Sequence, residues 1–232
     1  MMMVIMNGLI HDVHHEYRRD LPRWRRGSHA QGDDVKVSKE KAAENRAAIV
    51  KAAGRLFRER GFDKVGVAEI TKAAGLTHGG FYGHFASKDA LAAEACEAAF
   101  AESLGRLPDD EASPEGALDA FLTRYLSERH RDRPDAGCPM AAFAGEVARQ
   151  DPAVQKRFGI GVERFFEAVE ERLPERGGEG DAGRRDRAIA IVSALVGGMA
   201  LARATAPTDP DLSGEILTAL RGQLGIMGGD GD

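Results

Sequence analysis

Residues 75–91 read GLTHGGFYGHFASKDAL and hold four glycines, two histidines, three aromatics and one lysine. Thr77, His78, Tyr82, His84 and Lys88 all carry groups that donate hydrogen bonds to phosphate oxygens. The glycines add what side chains cannot: with no Cβ at Gly79, Gly80 and Gly83, backbone amides come within hydrogen-bonding range of a phosphate or a base edge. A glycine inside a helix costs up to about 1 kcal/mol against alanine, so three in one short helix call for a packing reason or a close approach. This is chemistry for gripping a polyanion. Chemistry for catalysis is not evident: no G-x-S-x-G, H-E-x-x-H or catalytically spaced carboxylate pair occurs, so no catalytic residue is assigned and no enzyme is expected. No cofactor or metal is expected either.

The elements that must hold this segment read as helices. In NRAAIVKAAGRLFRERG, Ile49, Ala53, Leu56 and Phe57 recur at three- and four-residue steps, and Gly61 stops the helix. VAEITKAAG puts Val67, Ile70 and Ala74 on one face and ends at Gly75, a natural left-handed cap. A third helix is predicted to begin near His78, with Phe81 and Phe85 facing inward. Ser87 then caps a fourth that runs to about Leu107. Two helices joined by a tight glycine turn, with a third before them, are the ingredients of a helix-turn-helix whose last helix enters the DNA major groove.

Further along, Pro114, Pro139, Pro152 and Pro210 each occupy a first helical position. RRDRAIAIVSALVGGMALARA carries a broad apolar face through Ile191, Val192, Leu195, Val196 and Met199. Strand alternation is absent over any useful length. The fold class is all-α: an N-terminal three-helix domain over residues 38–88 and a larger helical domain over 89–232. Residues 1–37 show no period and read as a disordered extension. The net charge of −5 conceals an asymmetry, since the three segments carry +1, +5 and −11 in order. A small basic module is joined to an acidic one. No apolar run approaches the roughly 18 residues of a membrane span and no signal-peptide core is evident, so the location is read as cytoplasmic, with no membrane partner.

The pieces NRAAIVKAAGRLFRERGF, VAEITKAAGLT, GGFYGHF and SKDAL, in this order and spacing, resemble the N-terminal domain of the TetR family of bacterial transcriptional regulators. The resemblance spans about fifty residues and is far more specific than a bare helix-turn-helix. It implies a homodimer reading a near-palindromic stretch of double-stranded DNA, with a divergent C-terminal domain that dimerises and holds a small-molecule effector. By the same resemblance, the Thr77 hydroxyl caps the reading helix and contacts phosphate, Tyr82 and His84 match the aromatic core of the motif, Lys88 reaches the backbone, and His78 occupies a variable, base-reading position. The chain departs from the pattern at Gly66, Ala68 and Gly80, where capping or base-reading side chains are usual. Few side chains remain for bidentate base contacts, so backbone and shape readout are expected to carry more of the recognition.

A repressor released by its effector is the leading expectation; an activator and an effector-independent architectural binder are the alternatives. Met140, Phe143, Phe165 and Phe166 are candidate pocket residues, each with ordinary core as its competing reading. The last two helices, about residues 184–204 and 209–224, are expected to dimerise, with Gly197, Gly198 and Ala200 allowing close approach. Cys138, just before Pro139, sits where a helix dipole lowers a thiol pKa, and is a candidate redox-sensitive thiol. Arg46 reads as solvated, and Thr71 as either internal or phosphate-facing. Three other features are set aside. His11, His14 and His15 lack elements to fix a metal geometry, GEGDAG at 178–183 follows a helix and carries acids where phosphate would sit, and RRDLPRWRR is broken by Asp20 and Pro22.

Overall fold

The computed structural model describes residues 31–107, 114–174, 176 and 180–228. Among them are nine α-helices and no strand. The first, α1 (Gln31–Arg60), begins upstream of the boundary read from the sequence, so residues 31–37 are helical rather than irregular. Its first eleven residues fall outside the main compact unit; the histidine trio and the basic arm lie in 1–30, outside the described residues. From Ala42 onward the chain is one compact unit. There α1 buries Ile49, Ala53, Leu56 and Phe57, the face its periodicity predicts, and stops at Gly61, whose φ of 89° is open to glycine without strain.

The second helix, α2 (Val67–Ala73), begins at Gly66 with no side-chain cap. α3 (Lys88–Leu104) starts behind Ser87, whose hydroxyl accepts from the Ala90 N–H at 3.0 Å, and ends three residues before the predicted Leu107. Then follow α4 (Pro114–Tyr125), α5 (Glu128–Arg131), α6 (Pro139–Phe143), α7 (Pro152–Glu170), α8 (Gly180–Thr205) and α9 (Pro210–Gly228). All four helices predicted to start at proline do so. Asp151 and Asp209 cap two of them, accepting from the N–H groups of Ala153 at 2.8 Å and Leu212 at 2.9 Å. Ser113 and the start of the GEGDAG stretch lie outside the described residues.

Two glycines set the closest approaches in the C-terminal part. A Cβ on Gly161 of α7 would lie 2.3 Å from the Phe100 ring of α3, and one on Gly198 of α8 would lie 1.9 Å from Leu220 of α9. α8 runs through the core, burying Ile191, Val192, Leu195 and Met199. With a mean hydropathy of 1.7 over 18 residues, α8 is the single described helix long and apolar enough to cross a membrane, against the sequence expectation that none would be. Its runs of alanine and glycine conceal that apolarity in a residue-by-residue reading. Here its apolar face is core.

The N-terminal helices are tied to this bundle by an aromatic row. Phe57, Phe62 and Phe143 stand with centroids 5.1 and 4.5 Å apart, so Phe143 is core that clasps α1 to α6. Both oxygens of Glu146 also accept from the Phe62 N–H at 3.3 Å, just beyond Gly61.

Candidate functional site

Gly75 takes a φ of 73°, turning the chain out of α2, and the Leu76 N–H returns to the Thr71 carbonyl at 2.9 Å. The expected third α-helix then gives way to something shorter. His78–Gly80 form one 3-10 turn, with Gly80 N–H on the Thr77 carbonyl at 3.0 Å. A second turn follows, in which the Phe81 carbonyl accepts from His84 at 2.9 Å and Phe85 at 3.0 Å. Three glycines within six residues weaken helix propagation enough to leave two turns in place of a continuous α-helix. Thr77 precedes the 3-10 turn, but its hydroxyl makes no capping bond, contrary to the expected role.

Phe81 and Phe85 anchor the segment, both buried and stacked at 5.7 Å. Tyr82 is 65% exposed, edge-on to Phe81 at 5.2 Å and to His78 at 6.0 Å. His78 and Gly79 are exposed, while Gly80, His84 and Lys88 are half-buried. Two neighbours support the segment from inside. Arg46 lies 4.6 Å over the Phe85 ring and pairs with Glu94, so it braces the segment while its side chain stays partly exposed, where simple solvation was expected. Thr71 is buried and donates to the Val67 and Ala68 carbonyls, both at 3.1 Å.

The glycines of this segment answer to nothing inside the protein. None of Gly79, Gly80 and Gly83 has a positive φ, and a Cβ on Gly79 would meet no atom within 4 Å. On Gly80 and Gly83 it would meet only ordinary contacts at 3.8 and 3.6 Å. Neither backbone strain nor internal packing requires glycine here, and the helix is weaker for it. What remains is access from outside.

A cavity of about 450 Å³ opens between α3, α4, α5, α7 and the loop leading into α6. Its apolar wall is Phe121, Tyr125 and Phe165; its polar wall is Arg106, Arg124, Arg129 and Arg133. His130 closes one side as a bridge between two backbones. Its Nδ1 lies 2.7 Å from the Tyr125 carbonyl and its Nε2 accepts from the Cys138 N–H at 3.0 Å, which fixes a neutral tautomer. Burial, with Arg203 and other arginines nearby, lowers the His130 pKa to about 4. Cys138 lines the same cavity, and here the expectation inverts: burial pushes its thiol up, outweighing the Tyr125 hydroxyl and nearby backbone amides that favour the thiolate.

Glu102 connects this cavity to α1. One carboxylate oxygen accepts from Arg58 Nη2 at 3.0 Å, and the other pairs with Arg106 of the cavity wall. Arg58 is buried, and its Nε also donates to the Asp135 carbonyl at 2.9 Å, while Arg106 donates to the next carbonyl, Ala136, at 2.5 Å. The loop that walls the cavity is thus held by an arginine of α1, the helix whose Arg46 braces the reading segment.

Comparison with known proteins matches residues 49–95 to the bacterial regulatory proteins of the tetR family, and residues 114–210 to the C-terminal domain of LmrA/YxaF-like transcriptional regulators. The chain belongs to the TetR family. It is a DNA-binding transcription regulator of the helix-turn-helix type, and TetR-family regulators are non-enzymatic and typically dimeric. Among similar proteins, the uncharacterized HTH-type transcriptional regulator YfiR of Bacillus subtilis is 27% identical over 149 residues, 60% of this chain and 71% of that one. The HTH-type transcriptional repressor Rv1474c of Mycobacterium tuberculosis is 34% identical over 123 residues, 49% of this chain, which spans 65% of that repressor. A TetR transcriptional regulator structure from Chloroflexus aurantiacus superposes with a TM-score of 0.64 at 24% identity, covering 80% of this chain and 94% of that one.

Within this TetR-family chain the predicted DNA residues Thr77 to Lys88 fall on one continuous segment. The four predicted pocket residues separate. Phe165 lines the cavity, whereas Met140 and Phe143 are buried core and Phe166 lies beneath Arg185, 5.4 Å from its guanidinium. The sequence reading missed Arg124, Tyr125, Arg129 and His130. Their signal was present in RYLSERHRDR, residues 124–133, where four arginines and a histidine crowd into an otherwise acidic domain.

Proposed function

We propose that this TetR-family regulator is a homodimeric repressor that leaves its operator when a small molecule enters the cavity. Residues 38–88 are the DNA-binding domain and residues 89–232 the effector and dimerisation domain; acting on bacterial DNA places it in the cytoplasm. The observation that carries the reading is the fork at Glu102, which joins Arg58 of the DNA-binding domain to Arg106 of the cavity wall. A ligand that moves the wall must change the contacts of Arg58 and so bias the orientation of the reading segment. An effector releases DNA only by binding the released arrangement more tightly, and this fork gives the two sites a shared element on which to differ.

On the DNA side, Tyr82 and Lys88 take phosphates, His78 reaches toward base edges, and Gly79, Gly80 and Gly83 admit the backbone close to the duplex. His84 supports Tyr82 from the same turn. Dimerisation uses the outward faces of α8 and α9, where Ile189, Leu201 and Leu212 are exposed apolar side chains and Gly197 has open space around its Cα. Gly198 serves a different purpose, the contact with Leu220 within the chain.

The test is fluorescence-anisotropy binding to duplexes from the protein's own upstream region against a scrambled control, with salt varied. Selective binding that weakens with salt and is lost in Tyr82→Ala/Lys88→Ala is the expected result. Equal, weak binding to every duplex, including ones recovered by genome-wide selection, would favour the architectural alternative. Release of the operator in Glu102→Gln without any ligand would sharpen the role of the fork.

A further inference from the structure

The charge of the cavity is one-sided. Four arginines and a histidine line it, and among the described residues no carboxylate does. Two of the arginines are matched from outside the lining, Arg106 by Glu102 and Arg133 by Asp135 at 2.9 Å. Arg124 and Arg129 have no carboxylate partner among the described residues. Arg124 donates to the Arg106 carbonyl, and burial followed by the charge of Arg106 lowers its pKa. Behind the wall, Arg203 adds a third unmatched cation. It donates to the carbonyls of His130 at 3.0 Å and Arg131 at 3.2 Å, with Tyr125 and Cys138 close enough to influence its charge.

The opposite side is aromatic. Phe121 stands 5.7 Å from Tyr125 and 6.4 Å from Phe165. Tyr125 is only 6% exposed, and its hydroxyl has the buried Cys138 thiol, a weak hydrogen-bonding group, as its side-chain partner. A thiol is a weak partner, so a hydroxyl on a cavity wall that has only a thiol beside it can still serve a stronger acceptor on a ligand. The volume lies within the range usual for small-molecule sites, about 300–1,000 Å³.

We propose that the effector is an amphipathic organic anion, with an acidic head on Arg124 and Arg129 and an aromatic or aliphatic body against Phe121, Tyr125 and Phe165. This deepens the reading of the cavity as the effector site and rests on it. The planar guanidinium forks suit the oxygens of a carboxylate or sulfonate, and the aromatic wall gives a bare inorganic anion nothing to bury. The charge is arginine's, because His130 is held neutral by its two backbone bonds, so anion binding persists through the physiological pH range. The head also competes for Arg106, whose loss from Glu102 loosens the hold on Arg58.

The experiment compares two fluorescent probes with the same aromatic body, the anion 8-anilinonaphthalene-1-sulfonate and the uncharged N-phenyl-1-naphthylamine, on the full chain. The variants are Arg124→Gln/Arg129→Gln, at exposed positions, and Ser103→Phe, which fills the cavity from a half-buried position; thermal melts confirm that both fold. The sulfonate is expected to bind at least tenfold more tightly than the neutral probe, to lose that advantage in the arginine variant, and to be displaced by decanoate. Ser103→Phe is expected to abolish binding of both. Equal affinity for the two probes, or indifference to the arginine variant, overturns the anion assignment while loss in Ser103→Phe keeps the cavity as a ligand site. Retention of both probes in Ser103→Phe overturns the cavity reading itself.

Discussion

The reading segment and the cavity wall treat their polar groups in opposite ways. Behind the exposed Arg124 and Arg129, the polar groups that build the cavity wall are turned inward on the protein: His130 on two backbone groups, Arg58 and Arg106 on Glu102 and on successive carbonyls, Arg203 on two more. In the reading segment Tyr82 stands out in solvent, the Thr77 hydroxyl caps nothing, and the glycines answer to no internal contact. The wall is therefore over-determined and the segment under-determined. Substitutions in the wall should be felt as stability, and substitutions in the segment as affinity for DNA.

The largest expected effect is at His130. Replacing it with alanine strands the Cys138 N–H and the Tyr125 carbonyl, and a loss of about 3 kcal/mol in chemical denaturation is expected. Protonation attacks the same bridge. Because the folded pKa is about 4, below the ordinary histidine value, the unfolded chain takes up a proton first as pH falls. Stability contributed by this group should decline from about pH 6.5 to about 4, by at most about 3 kcal/mol, and level off below that. A flat stability profile over that window, or one unchanged in His130→Gln, would break the picture of a neutral bridge.

Arg58→Ala comes next, with an expected loss of about 2 kcal/mol for a buried side chain that bonds both a carboxylate and a carbonyl. Gly137→Ala should cost about 1–2 kcal/mol, since its Cβ would lie 2.7 Å from Arg203 Nη2 and 2.9 Å from His130 Nε2. In the reading segment the sign reverses. Gly79→Ala should leave the fold unharmed or raise its stability by up to about 1 kcal/mol, while weakening operator binding roughly tenfold, about 1.4 kcal/mol. If Gly79→Ala destabilised the fold, or bound DNA as well as the parent, the contrast between the two regions would fail. The smallest effect is predicted for Cys138→Ser, whose buried, protonated thiol gives an oxidant little thiolate; any operator release by peroxide should be the same in the variant and the parent.

The same contrast explains what the sequence made legible. Helix starts at proline, the stops at Gly61 and Gly75, the Ser87 cap and the buried pair Phe81 and Phe85 are local features, decided within a few residues, and all were read correctly. The reading segment itself was legible by residue but not by conformation: the cost of three glycines to a helix is plain from the sequence, but that it suffices to split the helix into two turns is not. Arg46 was misjudged for want of partners distant in sequence, Glu94 and Phe85, and of the two readings open for Thr71 its burial on the inner face of α2 selects the internal one. The cavity was the least legible part. Its walls come from four helices and a loop, and the expected apolar pocket fell on Met140 and Phe143, which build the core, rather than on the arginines around His130. Cys138 was placed rightly at a helix start, but burial, invisible in one sequence, reverses the effect of that position.

A reader whose outward surface is largely glycine also has an evolutionary consequence. With few side chains committed to particular base edges, a single base change in an operator removes little binding energy, while a change in groove width or flexibility removes more. Sites recognised by this protein should therefore resemble one another in helical geometry more than in letters, and a catalogue of them assembled by base identity alone would miss members of the set.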